Sequence, residues 1–386
     1  MDNQGKRYKN LKVAIHFSIA LSLIAAIVVF ISVQGIQTGI RQTEFSKYSS
    51  ETETTITVSN ANIKSKTDKL SLWAEDCEAK KALISYVESV TREGSPDYIP
   101  EEDRVAVFDM DGTILCETDP YYFDFCLLKY RVLDDPEYKD KASDFEKDVA
   151  LRIKALMDGD KSSKISMEEH GKAVASAFSG MTIEEFENYI AAFKKQPCPG
   201  YNGMTRGEAF YKPMLQVIDY LQENDFKVYI VSGTDRFIVR GIAKDSLNIP
   251  RNQLSGSDET LVATNQGDTN GLDYTFTDKD KLVLGGDFII KNLNMNKVTV
   301  IMQEIGIQPV LSFGNSTGDS AMAEYTTTNN KYKSMAFMVC CDDVVRENGN
   351  VEKAEKMKEL CAGQEWVAIS MKSDWSTIYG DGVTVK

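Results

Sequence analysis

Apolar residues recur along the chain with two different periods, and these periods predict where helices and strands lie. Between residues 72 and 93 the apolar positions return every three or four residues, which predicts an amphipathic helix. Residues 105–108 read VAVF, a short β-branched and aromatic run that is typical of a buried parallel strand. The runs at 226–234 and 308–313 have the same character. The pattern therefore predicts three buried strands separated by helices.

A helix-rich segment at 117–210 separates the first two of these strands. Its three periodic stretches include Thr182 followed by Glu185, which is the spacing of a helix capping box. After the second strand, residues 255–290 are rich in Gly, Asn, Asp and Thr and predict a small hairpin. This order predicts an α/β fold with a Rossmann-like parallel sheet, and a helical cap (117–210) inserted after the first strand.

The beginning of the chain has a different pattern, because residues 13–33 form one uncharged and mostly apolar run. A helix of that length can cross a bilayer. The basic residues before it place the short tail in the cytoplasm and the rest of the chain outside; they are Lys6, Arg7, Lys9 and Lys12. We expect a single-pass anchor of the cytoplasmic membrane within 1–33, although a cleaved signal peptide and a secreted product remain open. Residues 34–69 are polar and predict a flexible stalk before the catalytic body at 70–386.

Composition narrows the possible functions of this body. A formal net charge of −14 argues against nucleic-acid binding, which needs clustered Lys and Arg. Only two histidines occur, His16 and His170, which argues against enzymes that use several imidazoles as nucleophiles or zinc ligands. The seven cysteines have irregular spacing, so we expect buried free thiols and no disulfide framework.

Side chains that can carry chemistry follow all three predicted strands. Asp109 and Asp111 follow the first strand, and side chains two residues apart in an extended segment point the same way. Ser232 ends the second strand, and the loop GNSTGD at 314–319 follows the third. Because the carboxyl ends of parallel strands meet at one edge, where open α/β sheets bind ligands, we expect these residues to share one site.

The string FDMDGT at 108–113 resembles the first motif of the haloacid dehalogenase superfamily. The resemblance implies that Asp109 is a nucleophile that forms an aspartyl phosphate. It also implies that Asp111 first protonates the leaving group and then deprotonates the attacking water. Thr113 would hold the turn that Gly112 permits. This motif is the most specific signal in the chain.

The second motif of the superfamily is a Ser or Thr at a strand end, and Ser232 resembles it. The resemblance implies that Ser232 binds a phosphoryl oxygen. The backbone N–H groups of Gly233 and Thr234, expected at the start of a helix, would add anion binding. Arg236 is either a further substrate contact or a surface residue of that helix.

The third and fourth motifs would supply a cation and a metal loop. Lys297 resembles the third-motif lysine, and Lys291 is the competing candidate. The fourth motif is usually an acidic loop, and here Asp319 is kept while Asn315 stands at the first acid. The resemblance implies a Mg²⁺ site made by Asp109, Asp111, Asn315 and Asp319, with a weaker affinity because an amide replaces a carboxylate.

The cap position resembles that of the branch containing phosphoserine and phosphorylcholine phosphatases. It places Glu117, Tyr121 and Tyr122 at the start of a mobile flap as candidate substrate-binding residues. The aromatic rings there either pack together or bind a quaternary ammonium group. The implied function is a Mg²⁺-dependent phosphomonoesterase that acts on a small phosphorylated metabolite. A membrane-tethered protein that binds phosphorylated ligands with little turnover, and a phosphotransferase or phosphomutase, are the alternatives.

Overall fold

A computed structural model describes residues 70–386, which lie within one compact unit. The predicted anchor at 13–33 and stalk at 34–69 lie outside the described residues. Between residues 70 and 386, no helix is both long and apolar enough to cross a membrane.

The centre of the described part is a seven-stranded sheet in the order β5-β4-β3-β1-β6-β7-β8. β4 and β5 are antiparallel, and the other neighbouring strands are parallel. β2 and β9 form a separate antiparallel pair. The strands are β1 (Val105–Phe108), β2 (Tyr201–Asn202), β3 (Lys227–Asp235), β4 (Leu254–Ala263), β5 (Leu282–Ile290), β6 (Leu311–Gly314), β7 (Met335–Cys340), β8 (Val367–Ser370) and β9 (Thr384–Val385).

Helices cover both the sheet and the segment that follows β1. The α-helices of the described part are α1 (Glu78–Thr91), α2 (Phe123–Lys129), α3 (Asp144–Met157), α4 (Met167–Ala177), α5 (Ile183–Lys194), α6 (Lys212–Gln222), α7 (Arg236–Ala243), α8 (Met295–Val300), α9 (Ser320–Thr327) and α10 (Val351–Gln364). Short π-helical segments continue α2 (Tyr130–Asp134) and α8 (Ile301–Ile305). The predicted α/β class with a mostly parallel sheet is confirmed.

β1 lies in the middle of the sheet because all four of its side chains are apolar and buried. It pairs with β3 on one side and with β6 on the other. Phe108 stacks on Phe313 of β6 with 4.2 Å between the ring centroids, and Phe313 stacks on Phe337 of β7 at 4.9 Å. These contacts fix the register of the strands whose carboxyl ends carry the predicted motifs.

The helices α2 to α5 follow β1, within the segment predicted as a cap. Each of α3, α4 and α5 begins with a capping box, in which a Ser or Thr and a Glu three residues later satisfy each other's backbone N–H groups. These boxes are Ser143 with Glu146, Ser166 with Glu169, and Thr182 with Glu185. The predicted box at Thr182 is confirmed. Such a cap contributes about 1 kcal/mol to helix stability.

The predicted hairpin is the antiparallel pair β4–β5, and the cap helices pack against it. The backbone N–H of Gly180 donates to the carbonyl of Leu284 at 2.8 Å, and the N–H of Leu284 donates to Met181 at 2.9 Å. Gly171 of α4 faces the ring of Phe288, where an added Cβ would lie 2.4 Å from the nearest ring carbon. The hairpin therefore joins the cap to the sheet.

Two helix boundaries and two strands of the main sheet differ from the sequence prediction. α1 begins at Glu78 instead of near residue 72, because the Cys77 Sγ accepts a hydrogen bond from Lys80 N and caps the helix. The strands β7 and β8 were not predicted. α7 ends at Ala243, four residues earlier than expected. All seven cysteines are free, as predicted.

Candidate active site

The turn after β1 holds two aspartates at the carboxyl edge of the sheet. The Asp109 N–H donates to the Phe313 carbonyl of β6 at 2.9 Å, which continues the strand pairing. Gly112 has φ +77°, and a Cβ there would lie 1.8 Å from Asn315 Nδ2. Because only glycine fits this turn, Gly112 allows the Asn315 side chain to approach the Asp109–Asp111 pair.

Lys297 of α8 is fully buried beside the predicted nucleophile. Its Nζ lies 2.5 Å from Asp109 Oδ1 and 2.8 Å from Asp319 Oδ1, and it also donates to the Val231 carbonyl at 2.6 Å. The competing candidate Lys291 lies 3.8 Å from the Asp124 carboxylate of the cap instead. The structure therefore places Lys297 in the position that the third motif requires.

Burial dominates the electrostatics of the two aspartates. It raises the pKa of Asp109, and the charge of Asp319 adds to this, while Lys297 acts in the opposite direction. Burial and then the charges of Asp124 and Asp109 raise the pKa of Asp111 well above its usual range. Both buried carboxyl groups therefore take up protons more readily than exposed aspartates do.

The hydroxyl of Thr234 positions Asp111. Thr234 Oγ1 donates to Asp111 Oδ2 at 2.8 Å, and the Thr234 N–H donates to Ser232 Oγ at 3.1 Å. The sequence analysis missed this hydroxyl contact. The two-residue spacing of Ser232 and Thr234 on one strand was the signal for it, because both side chains point to one face.

Gly233 and Thr234 were expected at the start of a helix, and this position is wrong. Gly233 and Thr234 lie within β3, and α7 begins only at Arg236. The Asp235 side chain caps this helix by accepting from its first free N–H groups. An added Cβ at Gly233 would lie 2.7 Å from the Leu293 side chain, so Gly233 is needed for packing.

Arg236 was predicted as either a substrate contact or a surface residue of the helix, and in the structure it pairs with two carboxylates. Its Nε and Nη2 donate to the two oxygens of Asp258 at 2.6 and 2.8 Å. Its Nη1 donates to Glu304 at 2.8 Å, and Nη2 also contacts Glu304. These two carboxylates take up the guanidinium donors, so Arg236 links β4 to the segment after α8.

Asp319, which was expected as a metal ligand, holds the loop that follows β6. Its Oδ2 accepts from the N–H groups of Asn315 and Ser316 at 3.1 and 3.0 Å, and from Ser316 Oγ at 3.1 Å. Its other oxygen binds Lys297. With both oxygens in use, Asp319 positions Lys297 and the loop.

Asn315 makes a contact that the sequence did not reveal. Its Nδ2 donates to Glu117 Oε2 at 3.0 Å, and the other Glu117 oxygen accepts from Lys353 Nζ of α10 at 3.2 Å. Glu117 and Asn315 are both buried, and Lys353 is half exposed. Lys353 lies 236 residues after Glu117, so no local pattern pointed to this chain of contacts.

Aromatic packing and contacts with the buried Glu347 hold the predicted flap in place. The ring centroids of Tyr121 and Tyr122 lie 4.9 Å apart, and Phe125 packs against both rings. The hydroxyl groups of Thr118 and of two buried tyrosines, Tyr201 and Tyr379, donate to Glu347. Tyr121 and Tyr122 also line a cavity of about 370 Å³ that includes Glu117, Asn315 and Lys353.

A comparison with protein families agrees with this fold. Residues 106–324, more than half of the chain, match the model of the haloacid dehalogenase-like hydrolase family. No curated protein matches the chain.

Three solved structures resemble this chain at low identity. A functionally unknown protein from Anaerococcus prevotii DSM 20548 is 15% identical, with 78% of this chain and 94% of that chain covered and a TM-score of 0.47. Cytosolic 5′-nucleotidase IIIB bound to cytidine is 13% identical, with 77% and 86% covered and a TM-score of 0.44. A phosphoserine phosphohydrolase-like protein from Francisella tularensis subsp. tularensis SCHU S4 is 16% identical, with 66% and 92% covered and a TM-score of 0.34.

The described part has an α/β fold with carboxylates and one buried lysine at the carboxyl edge of a parallel sheet. The match over residues 106–324 then gives the family. The chain belongs to the haloacid dehalogenase-like hydrolases.

The donors at the sheet edge fit the Mg²⁺ ion that the family implies. Asp109, the Asp111 carbonyl and the Asn315 amide offer only oxygen ligands, which Mg²⁺ prefers. The Asn315 side chain lies against Gly112, next to that carbonyl. Within residues 70–386 no group of three or more His, Cys, Asp or Glu side chains has the geometry of a metal site. Such a ligand set would combine one carboxylate with an amide oxygen and a backbone oxygen.

Proposed function

We propose that this protein is a Mg²⁺-dependent phosphatase that hydrolyses a small phosphomonoester through a covalent aspartyl phosphate on Asp109. The observation that carries the proposal is the buried contact of 2.5 Å between Lys297 Nζ and Asp109 Oδ1, with Asp111 two residues away. A lysine in this position keeps the nucleophile ionised although burial opposes its charge.

In the first step a carboxylate oxygen of Asp109 attacks phosphorus while the bond to the leaving oxygen breaks. Asp111 gives its proton to that oxygen, and Thr234 holds the Asp111 carboxyl in place. Lys297 offsets the negative charge of the phosphoryl group. Mg²⁺, when held by Asp109, the Asp111 carbonyl and Asn315, supplies further positive charge to the phosphoryl oxygens.

In the second step Asp111, now ionised, takes a proton from a water molecule that attacks the aspartyl phosphate. The phosphate leaves and Asp109 is restored. Two further hydroxyl groups are buried near the aspartates. Thr113 follows Asp111 in the chain, and Ser232 lies on β3, the strand next to β1. Among the described residues Thr113 Oγ1 has no hydrogen-bond partner, which fits a group that binds a phosphoryl oxygen.

The proposal is tested by replacing the two aspartates separately and assaying a panel of phosphomonoesters. Asp109→Asn should abolish turnover. It should also abolish the mass increase that a phosphoenzyme shows after quenching in acid. Asp111→Asn should slow turnover by about 10² to 10⁴ and let phosphoenzyme accumulate with a good leaving group. The exposed Asp278→Asn is the matched control and should behave as wild type.

Each other outcome has a definite meaning. If Asp109→Asn keeps more than a few per cent of the activity, the covalent mechanism is wrong. If the wild type forms phosphoenzyme but passes the group to an acceptor alcohol faster than to water, the protein is a phosphotransferase. If it binds phosphorylated ligands without any turnover, the binding-protein alternative holds.

We also propose that residues 13–33 anchor the protein in the cytoplasmic membrane with the catalytic body outside. The support is the uncharged run after four basic residues in the sequence. Protease added to intact cells should release an active fragment. Activity found only in the cytosolic fraction would contradict this placement.

A further inference from the structure

The loop after β6 lacks one negative charge, because Asn315 stands where the fourth motif usually has an acid. A carboxylate from another part of the chain lies next to this position. Glu117 Oε2 lies 3.0 Å from Asn315 Nδ2. Glu117 is 9% exposed and Asn315 is 7% exposed, so their contact is shielded from water. A shielded charge acts on its surroundings much more strongly than an exposed one.

The contact also fixes the direction of the amide. A carboxylate only accepts hydrogen bonds, so the NH₂ group of Asn315 must face Glu117 and the amide oxygen must point away from it. Both side chains lie over Gly112, where an added Cβ would be 1.8 Å from Asn315 Nδ2 and 2.6 Å from Glu117 Oε2. The pair is therefore built against the turn that carries Asp111.

We infer that Glu117 is a positioning residue for the metal centre: it orients the Asn315 amide oxygen toward the ion and supplies the negative charge that Asn315 lacks. The inference rests on the proposed function, because it concerns the metal of the proposed phosphatase site. It differs from the expectation that Glu117 only binds substrate, because it requires an effect of Glu117 on metal binding when no substrate is present.

A change at Lys353 can increase the effect of the Glu117 charge, whereas a change at Glu117 removes it. Its Nζ lies 3.2 Å from Glu117 Oε1, so it partly neutralises this carboxylate. The Lys353 side chain is 55% exposed and comes from α10, outside the turn and loop that hold the catalytic groups. Removing its positive charge should strengthen metal binding, and damage to the fold would not have that effect.

The test measures Mn²⁺ binding to the full-length protein without substrate, from the electron paramagnetic resonance signal of free Mn²⁺. Glu117→Gln should raise the Kd at least tenfold, and Lys353→Gln should lower it two- to fivefold. The double variant Glu117→Gln with Asn315→Asp should return the Kd to within about threefold of wild type, because it moves the charge back to the loop. Glu352→Gln, which removes an exposed partner of Lys356, is the control and should leave the Kd unchanged.

A folded Glu117→Gln protein whose Kd stays within twofold of wild type would overturn the inference, as would a Lys353→Gln protein with weaker binding. If Glu117→Gln raises only the KM for the phosphomonoester, Glu117 binds substrate and the inference fails while the proposed function stands. If the wild type binds Mn²⁺ with the expected pattern but hydrolyses no phosphomonoester, the proposed function fails and the inference about the metal holds.

Discussion

Thr234 shows how one hydroxyl group can set the direction of a buried carboxyl group. It is 4% exposed, and its bond to Asp111 Oδ2 leaves Oδ1 as the free oxygen of that carboxyl. A proton donor must be aimed at the leaving oxygen within hydrogen-bond reach. Thr234 is thus a positioning residue that acts through Asp111.

Thr234→Val should lower kcat by about 10- to 100-fold with little change in KM, because an isosteric side chain removes only the hydrogen bond to the general acid. Thr234→Ser keeps the hydroxyl and should recover most of the rate. The measurement is a steady-state assay of both variants across pH, with thermal unfolding as the check on folding. Equal loss in the Val and Ser variants would show that the methyl group matters and the hydroxyl does not.

Residue types in motifs could be predicted from the sequence, but contacts between distant residues could not. Asp109 and Asp111 follow β1, as their motif indicated, and Lys297 of α8 contacts Asp109 at the same edge of the sheet. The Glu117–Asn315 contact depends on how the flap folds over Gly112. The spacing of 198 residues between its partners carries no information about that fold.

At the scale of elements, features encoded in a few neighbouring residues were predicted correctly, and features that depend on distant residues were not. The capping box at Thr182 is encoded in four consecutive residues, and its helix begins there. α1 was predicted too early because Trp73 is apolar for another reason: its ring lies 6.0 Å from that of Trp375, in a bridge to the C-terminal segment. β7 was missed because a run such as MAFMVC suits a buried helix as well as a strand.

Two helical glycines give an element-scale prediction about how the cap packs. Gly171→Ala in α4 should lower the free energy of unfolding by about 1–3 kcal/mol, because the added Cβ meets the Phe288 ring of β5. Phe288→Leu in the same chain should recover part of the loss. Gly363→Ala in α10 is the matched control: its Cβ meets nothing within 4 Å, so it should stabilise by about 0.5–1 kcal/mol. Denaturant unfolding measures all three, and a neutral Gly171→Ala would show that cap and hairpin are loosely packed.

At the scale of the whole molecule, an acidic protein of net charge −14 buries carboxyl groups outside its catalytic turn. Glu259 of β4 is 5% exposed, and neither of its oxygens has a hydrogen-bond partner among the described residues. Burial first, and then the charges of Asp235 and Asp258, raise the pKa of Glu259 to about 10. Burial also raises the pKa of Asp235 to about 7. The native state therefore holds protons that the unfolded chain releases.

These shifts determine how stability changes with pH. A carboxyl group whose pKa is raised by folding contributes stability at low pH, and this contribution is lost as pH rises toward the folded-state pKa. Between pH 6.5 and 8.5 the unfolded carboxyl groups are ionised, so stability should fall with rising pH. Burial lowers the pKa of His170 to about 3, and this group costs stability only as pH falls below about 6.5, where the unfolded imidazole takes up a proton. Glu259 and Asp235 together outweigh His170, so the Tm should rise as the pH falls from 8.5 to about 5.

Replacing Glu259 with Gln isolates its share of this pH dependence. The amide resembles the protonated acid in shape and cannot ionise, so the variant avoids the cost of keeping Glu259 protonated. Glu259→Gln should raise the Tm by several degrees at pH 8.5 and by much less at pH 5, which makes the curve of Tm against pH flatter. Glu359→Gln, at an exposed position of α10, should leave the curve unchanged. If Glu259→Gln shifted the Tm equally at both pH values, the carboxyl would be ionised in the native state and its burial would have to be stabilised by another charge.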